Sequence, residues 1–344
     1  MNWAIENPQW VEDHYSNGFY PVIQSILSAI SSIVPIPIGQ LIFYSLFFGL
    51  IFWVVKRVIH LIKKKISFGK FAWVMIKNGL FAFSLFNFLF TLTWGLNYHR
   101  LKIPEIADLD VKDITREELI SLNDTLISRC NRLRSEIITE DDLPITKDEI
   151  LAKATIGFER AHGHYDFIGY DVFSVKSVLV PEIMSSFTIG GIYFMFTGEA
   201  NVNMDPPNFL VPAVTCHEMA HQSGFASEDE ANFVGYLACQ FNPDINFQYS
   251  GNLMMLRYSM RSLFRLDSVA YDELAAKLTV DVKEDLRKNR EYWQSFYNPI
   301  DPLTDAMYDL FLKANDQKEG IKSYSLVTSL MVGELRRSGL VLVE

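Results

Sequence analysis

The sequence predicts a mainly α (α+β) fold in which two N-terminal transmembrane helices precede a largely helical domain with a small β element. Three observations carry this expectation: two long uncharged apolar runs near the start, a dense basic cluster between them, and amphipathic patterns with helix-start signals over most of the remaining chain. The runs are Ile38 to Val55 and Gly79 to Leu96, and each is about long enough to cross a hydrocarbon core once its flanks are included. No lysine or arginine precedes Lys56, whereas Lys56, Arg57, Lys63, Lys64, Lys65, Lys70 and Lys77 crowd the connection with no acid to offset them. Positively charged short loops stay in the cytoplasm. The expected organisation is therefore an extracytoplasmic segment over 1–37, two spans with a basic cytoplasmic loop over 38–96, and an extracytoplasmic domain over 97–344 of a protein in the cell membrane. The first run is not a cleavable signal peptide, because it starts far from the N-terminus, lacks a basic region before it and has no small-residue cleavage site after Val55.

The overall charge of −10 hides an asymmetry. Setting aside the seven bases of the connection and Glu6, Glu12 and Asp13 leaves 24 basic and 38 acidic residues, so the remaining domain excludes nucleic acid as a partner. Cys130, Cys216 and Cys239 form no paired framework, and the two in the motif helices, Cys216 and Cys239, read as small core residues.

The domain after the spans is long enough for one sizeable core. Thr115-Arg116-Glu117-Glu118 and Thr146-Lys147-Asp148-Glu149 are capping boxes that open helices, and Leu253 to Leu266, Ser268 to Leu278, Val282 to Phe296 and Leu303 to Lys313 read as further helices. The β element is Gly190 to Gly198, rich in Ile, Tyr and Phe and bounded by glycines, which reads as a strand. Beyond it Glu199, Asn201 and Asn203 alternate on one side, where they line a cleft or face water.

The most informative stretch is Cys216-His217-Glu218-Met219-Ala220-His221-Gln222-Ser223-Gly224. On a helix the i, i+4 spacing puts His217 and His221 one turn apart on one face, able to present two imidazole nitrogens to one metal ion, with Glu218 as the base that handles a water proton. A catalytic zinc needs a third protein ligand and an open position. Gly224 suits the left-handed end of that helix, and Ser227 with Glu228-Asp229-Glu230 reads as a capping box opening the next one. A tight helical hairpin brings the first turn of the second helix to the last turn of the first, so Glu228 or Glu230 supplies the third ligand. Glu228 at N1 is favoured, because an N3 glutamate is occupied in folding back to the N-cap amide. The metzincin pattern fails because Ser227 stands where its third histidine would fall.

Glu228-x-x-x-Asn232 resembles the Glu-x-x-x-Asp helix of gluzincin metallopeptidases, with a neutral amide where that family has a carboxylate supporting a ligand histidine. More of the chain resembles a bacterial membrane family, domain of unknown function 3810, through Trp94-Gly95-Leu96-Asn97-Tyr98, Thr197-Gly198-Glu199-Ala200-Asn201, His217 to Gly224 and Glu228 to Phe233. The resemblance implies a membrane-anchored zinc peptidase with a zincin-like domain. It implies zinc on His217, His221 and Glu228 with catalysis through Glu218, and supplies no substrate; the expected topology, with the motif after the second span, suggests a peptide or protein substrate on the outer face beside membrane lipid. In zincin-like peptidases an edge strand binds extended substrate, the place that Gly190 to Gly198 would take; a core strand is the other reading. Tyr324, Tyr193 and Tyr249 are candidates to stabilise the oxyanion. His162 and His164 share a chelating spacing without a third ligand nearby. The alternatives are a non-catalytic protein whose structural zinc organises an exterior binding domain, and a hydrolase of non-peptide amides.

Overall fold

We describe a computed structural model of the chain, covering residues 2–139, 145–169, 173–296, 306, 310 and 326–338. It opens with α1 (Asn2–Glu6), α2 (Pro8–Trp10), a π-wound stretch Val11–Phe19 and α3 (Tyr20–Ser31). Two long helices come next, α4 (Ile38–Ile62) and α5 (Phe68–Thr93). Both are long and apolar enough to cross a membrane, and the rest of the protein covers almost none of their apolar surface. A helix that is apolar on all sides needs an apolar surround, which the described residues do not supply.

The connection between α4 and α5 is shorter than the sequence suggested. Lys56 and Arg57 belong to α4, while Lys70 and Lys77 belong to α5, which starts at Phe68 rather than near Gly79. The apolar run marks where the lysines stop, but the helix starts at its cap, where Ser67 Oγ accepts the Lys70 N–H at 3.3 Å. Only the turn around Lys64, with φ of 55°, reverses the chain.

The first 31 residues do not hang free of the domain. Arg100 donates through Nε and Nη2 to Glu12 at 2.9 and 2.7 Å, and both side chains are buried. Tyr15 donates to the Leu92 carbonyl at 3.0 Å and Ser16 to Asn97 at 2.9 Å, so the π-wound stretch is strapped to the C-terminal end of α5.

After a 3₁₀ turn Gly95–His99 come α6 (Ile103–Ile106), α7 (Arg116–Thr139) and α8 (Lys147–His162). Both expected capping boxes form: Thr115 and Thr146 N–H each donate to the N3 glutamate at 2.9 Å. Between the first two strands of the sheet lies α9 (Pro181–Ser186), and beyond the sheet lie α10 (Val211–Gln222), α11 (Glu228–Phe241), α12 (Ile245–Leu266), α13 (Ser268–Ala276) and α14 (Val280–Ser295), then a helix Leu326–Ser338. Helix α12 starts well before Leu253 because Asp244 caps it, accepting the Asn246 N–H at 3.0 Å. The expected helix Leu303 to Lys313 lies outside the described residues except at two positions. Leu122, Leu126, Phe158, Phe233 and Phe247 fill the core between α7, α8, α11 and α12, and all three cysteines are buried and, as expected, free.

The β element is a three-stranded sheet, not a single strand. Its order is β1 (Ser174–Ser177), β3 (Glu199–Val202), β2 (Gly191–Phe194), with β3 parallel to β1 and antiparallel to β2. The predicted strand ends at Phe194, where a turn through Gly198 reverses it. Glu199, Asn201 and Asn203 consequently neither line a cleft nor face water; all three are buried. Glu199 accepts from Ile38 N–H (2.9 Å), Gly39 N–H (2.6 Å), Lys176 Nζ (2.6 Å) and Thr197 Oγ1 (2.7 Å). It thereby holds the start of α4, where orphan N–H groups and the helix dipole favour an anion.

Candidate metal centre

Helix α10 presents His217 and His221 on one face and stops at the glycine that the sequence marks. Gly224 takes φ of +92°, and the Gly224 and Phe225 N–H groups close on the carbonyls of His221 and Ala220 at 2.8 and 3.1 Å. The chain then turns into α11, whose first residue is Glu228. Glu228 Oε2 lies 3.4 Å from His217 Nε2, and its Oε1 lies 3.7 Å from His221 Nε2. Metal–ligand bonds of about 2.0–2.1 Å in a tetrahedron separate ligand atoms by about 3.3–3.4 Å, so these spacings fit one small cation with little adjustment. Among the described residues, His217, His221 and Glu228 are the group of histidine, cysteine and carboxylate side chains close enough to hold a metal ion, their ligand atoms lying within 4.8 Å of one another.

The surrounding contacts orient the ligands. His221 Nδ1 stands 2.7 Å from the Phe225 carbonyl, and a proton donated there leaves Nε2 with its lone pair facing Glu228. The Trp94 ring, at the end of α5, meets the His221 ring edge to face at 6.1 Å. Asn232 stands against His217 and Tyr258. His217 Nδ1 and Glu218 Oε2 are buried with no hydrogen-bond partner among the described residues. Unpartnered buried polar atoms are uncommon in a finished core.

Burial sets the electrostatics. It raises the Glu218 carboxyl to about 8, against the pull of His217 and the Tyr193 N–H, with Glu228 adding to the rise. It lowers His221 to about 4, helped by the neighbouring His217. For His217 burial pushes downward, but Glu228, Glu218 and Asn232 outweigh it and the net shift is upward. A neutral His221 is the form a cation takes up.

Strand β2 passes directly over Glu218. A Cβ at Gly191 would fall 2.5 Å from Glu218 Cγ, so only glycine lets the strand come this close. β2 pairs with β3 on one side only, so it is an edge strand of the sheet.

The capping box expected at Ser227 does not form. Ser227 has N-cap backbone angles, but its hydroxyl accepts from Lys102 Nζ at 3.0 Å and from no N–H of α11. Glu230 accepts the Ile103 N–H at 2.8 Å and lies 3.8 Å from Lys102 Nζ. The start of α6 arrives there with an unpaired buried N–H, and satisfying it wins over the self-cap. Glu230 is thus occupied, by a different partner from the one expected, and Glu228 alone of the two faces the histidines.

The tyrosines are sorted differently from expectation. Tyr249 donates to Asp285 at 2.7 Å, away from the histidines, and the Tyr193 hydroxyl is engaged with Tyr20 at 3.0 Å. Tyr324 lies outside the described residues. Tyr98 and Tyr258 are the ones close enough to Glu228 to feel its charge, and burial with that charge raises both phenols. Tyr98 carried a signal in the Trp94 to Tyr98 motif; Tyr258, one aromatic on an amphipathic helix, carried none. His162 and His164 are not brought to a shared site: His162 Nδ1 meets the Ile168 carbonyl at 2.7 Å and His164 packs on Tyr165 and Phe241.

No curated protein and no solved structure matches the chain. A family match spans residues 15–332, which includes α3, both apolar helices and the His217, His221 and Glu228 group, and by that match the chain belongs to the family described as Protein of unknown function (DUF3810).

Proposed function

We propose that this chain is a membrane-anchored zinc metallopeptidase that hydrolyses peptide bonds of envelope or extracellular substrates. The observation that carries the reading is the meeting of His217, His221 and Glu228 with their ligand atoms within 4.8 Å of one another, with Glu218 beside them and Gly191 of the edge strand β2 over it. Two imidazoles and a carboxylate are the ligand set of a catalytic zinc with one position left open, and a buried base next to it serves hydrolysis rather than structure. When bound, the zinc supplies the Lewis acidity that activates water and polarises a carbonyl.

The chain's own groups do the rest. Glu218 accepts the water's proton and returns it to the leaving amine; its Oε2 carries no competing hydrogen bond. The edge of β2 offers main-chain groups to an extended substrate, holding the scissile bond over Glu218. Tyr98 and Tyr258 are the donors nearest to where the oxyanion develops, by their closeness to Glu228. Helices α4 and α5 are long and apolar enough to anchor the domain, and the lysines of their connection support an orientation with the domain on the outer face.

The test is hydrolysis of a broad peptide library by purified full-length protein, with and without chelator, beside the Glu218→Gln variant. Chelator-sensitive cleavage that zinc restores and that the variant lacks supports the reading. Equal cleavage by the variant removes Glu218 from the chemistry.

A further inference from the structure

Helix α3 is built inside out for a water-soluble protein. Tyr20, Gln24, Ser28 and Ser31 are buried, while Val22, Ile26, Ile30 and Ile33 are 60, 55, 58 and 79 % exposed. These positions alternate at three and four residues and form two opposite faces, the polar one turned inward and the apolar one outward. The inward face is fully used. Ser28 donates to the Gly198 carbonyl at 2.7 Å, Gln222 Nε2 reaches both Ser28 and that carbonyl at 3.0 and 2.6 Å, and Ser31 bonds Ser174 at 2.9 Å. Tyr20 donates to the Gln222 carbonyl at 3.0 Å. The polar face of α3 is therefore a clamp on the turn of α10 that carries His221.

The outward face is explained by what it continues into. No Asp, Glu, Lys or Arg occurs between Asp13 and Lys56, so α3 and the first part of α4 form one uncharged stretch broken only at the Pro35 and Pro37 bend. α3 also packs against α5, whose apolar flanks are uncovered, and Phe196 of the β2–β3 turn packs on Phe86 of α5 at 5.9 Å between ring centres. Trp3 and Trp10 are exposed nearby in the chain, as aromatic anchors at a membrane interface are.

The geometry points to a third membrane contact: α3 and the turn after it are embedded in lipid by Val22, Ile26, Ile30 and Ile33, which draws the metal centre down to the bilayer surface. The proposal rests on the membrane-anchored reading above and adds to it a substrate restriction, since a centre clamped at lipid level meets polypeptide where it leaves the membrane.

The test places a nitroxide at Ile26→Cys and at Ile30→Cys in the full-length protein in lipid nanodiscs; the native cysteines are buried and do not compete. Collision with oxygen is compared with collision with a water-soluble nickel complex, using Phe47→Cys on α4 as a lipid reference and Val280→Cys, 80 % exposed on α14, as a water reference. Val22→Cys stands in should either α3 variant fail to fold. The expected result is an oxygen preference at α3 of the same sign as at Phe47 and opposite to that at Val280. Nickel access at α3 with Phe47 still in lipid overturns the proposal and leaves the anchoring intact, whereas nickel access at Phe47 overturns the anchoring itself. A label at α3 shielded from both reagents would mean that protein, such as a second copy, covers the face, which also overturns the proposal.

Discussion

Two buried carboxylate clusters in this protein differ in how completely they are satisfied. Glu199 accepts four hydrogen bonds, from Ile38, Gly39, Thr197 and Lys176, and its lysine partner is further held by the carbonyls of Ser31 and Ile36. At α10 and α11, by contrast, Glu218 Oε2 and His217 Nδ1 are buried with no partner among the described residues, and Glu228 lies 3.4 and 3.7 Å from two imidazole nitrogens. Burial alone does not mark a functional site, because both clusters are buried. What separates them is unspent bonding capacity: a saturated cluster fixes the start of a membrane-length helix, and an unsaturated one is ready for a ligand and a proton.

The contrast predicts different failures. The largest effect falls on chemistry: Glu218→Gln keeps the fold and the metal but lowers hydrolysis by about 10²–10⁴-fold, the range for removing a general base, measured as kcat/KM on a cleaved peptide. Next is stability at the saturated cluster. Glu199→Ala strands Lys176 and the Ile38 and Gly39 N–H groups, and the expected cost is about 3–5 kcal/mol, the range for breaking one side of a buried pair; denaturation in detergent measures it, and a shift under about 1 kcal/mol would mean that the two clusters do not differ as described. A smaller effect sharpens the choice of ligand. Glu230→Ala exposes no metal position but leaves the Ile103 N–H without its acceptor, costing about 1–3 kcal/mol while metal content stays at the wild-type level. Loss of metal in that variant would make Glu230 a ligand and remove the distinction drawn between the two glutamates.

Much of the candidate metal centre is legible in the sequence. The i, i+4 histidines, the glycine stop at Gly224 and the helical restart at Glu228 are local signals, and local chemistry decided them. The boxes at Thr115 and Thr146 formed for the same reason. The box at Ser227 did not, because a distant segment, the start of α6, competes for Glu230 and no short-range pattern announces it. Glu199 is misleading in the same way. Its alternation with Asn201 and Asn203 suggests a lined cleft or a solvated face, while its actual partners come from residues 38, 39 and 176. The span boundaries shifted because hydropathy reports where charges stop and helices start at caps, as at Ser67. The N-terminal helices have no obvious role in the sequence; their polar faces make sense only against Gly198, Gln222 and Arg100.

The most direct test of the central claim, that His217, His221 and Glu228 together hold the catalytic zinc, is the metal content of purified full-length protein and of Glu228→Ala, determined by mass spectrometry after growth in zinc-replete medium. The expected result is one zinc per wild-type chain and loss of most of it in the variant, because two imidazoles hold the ion far more weakly than three ligands do. A wild-type protein without stoichiometric zinc, or a Glu228→Ala protein that keeps it, would contradict the claim.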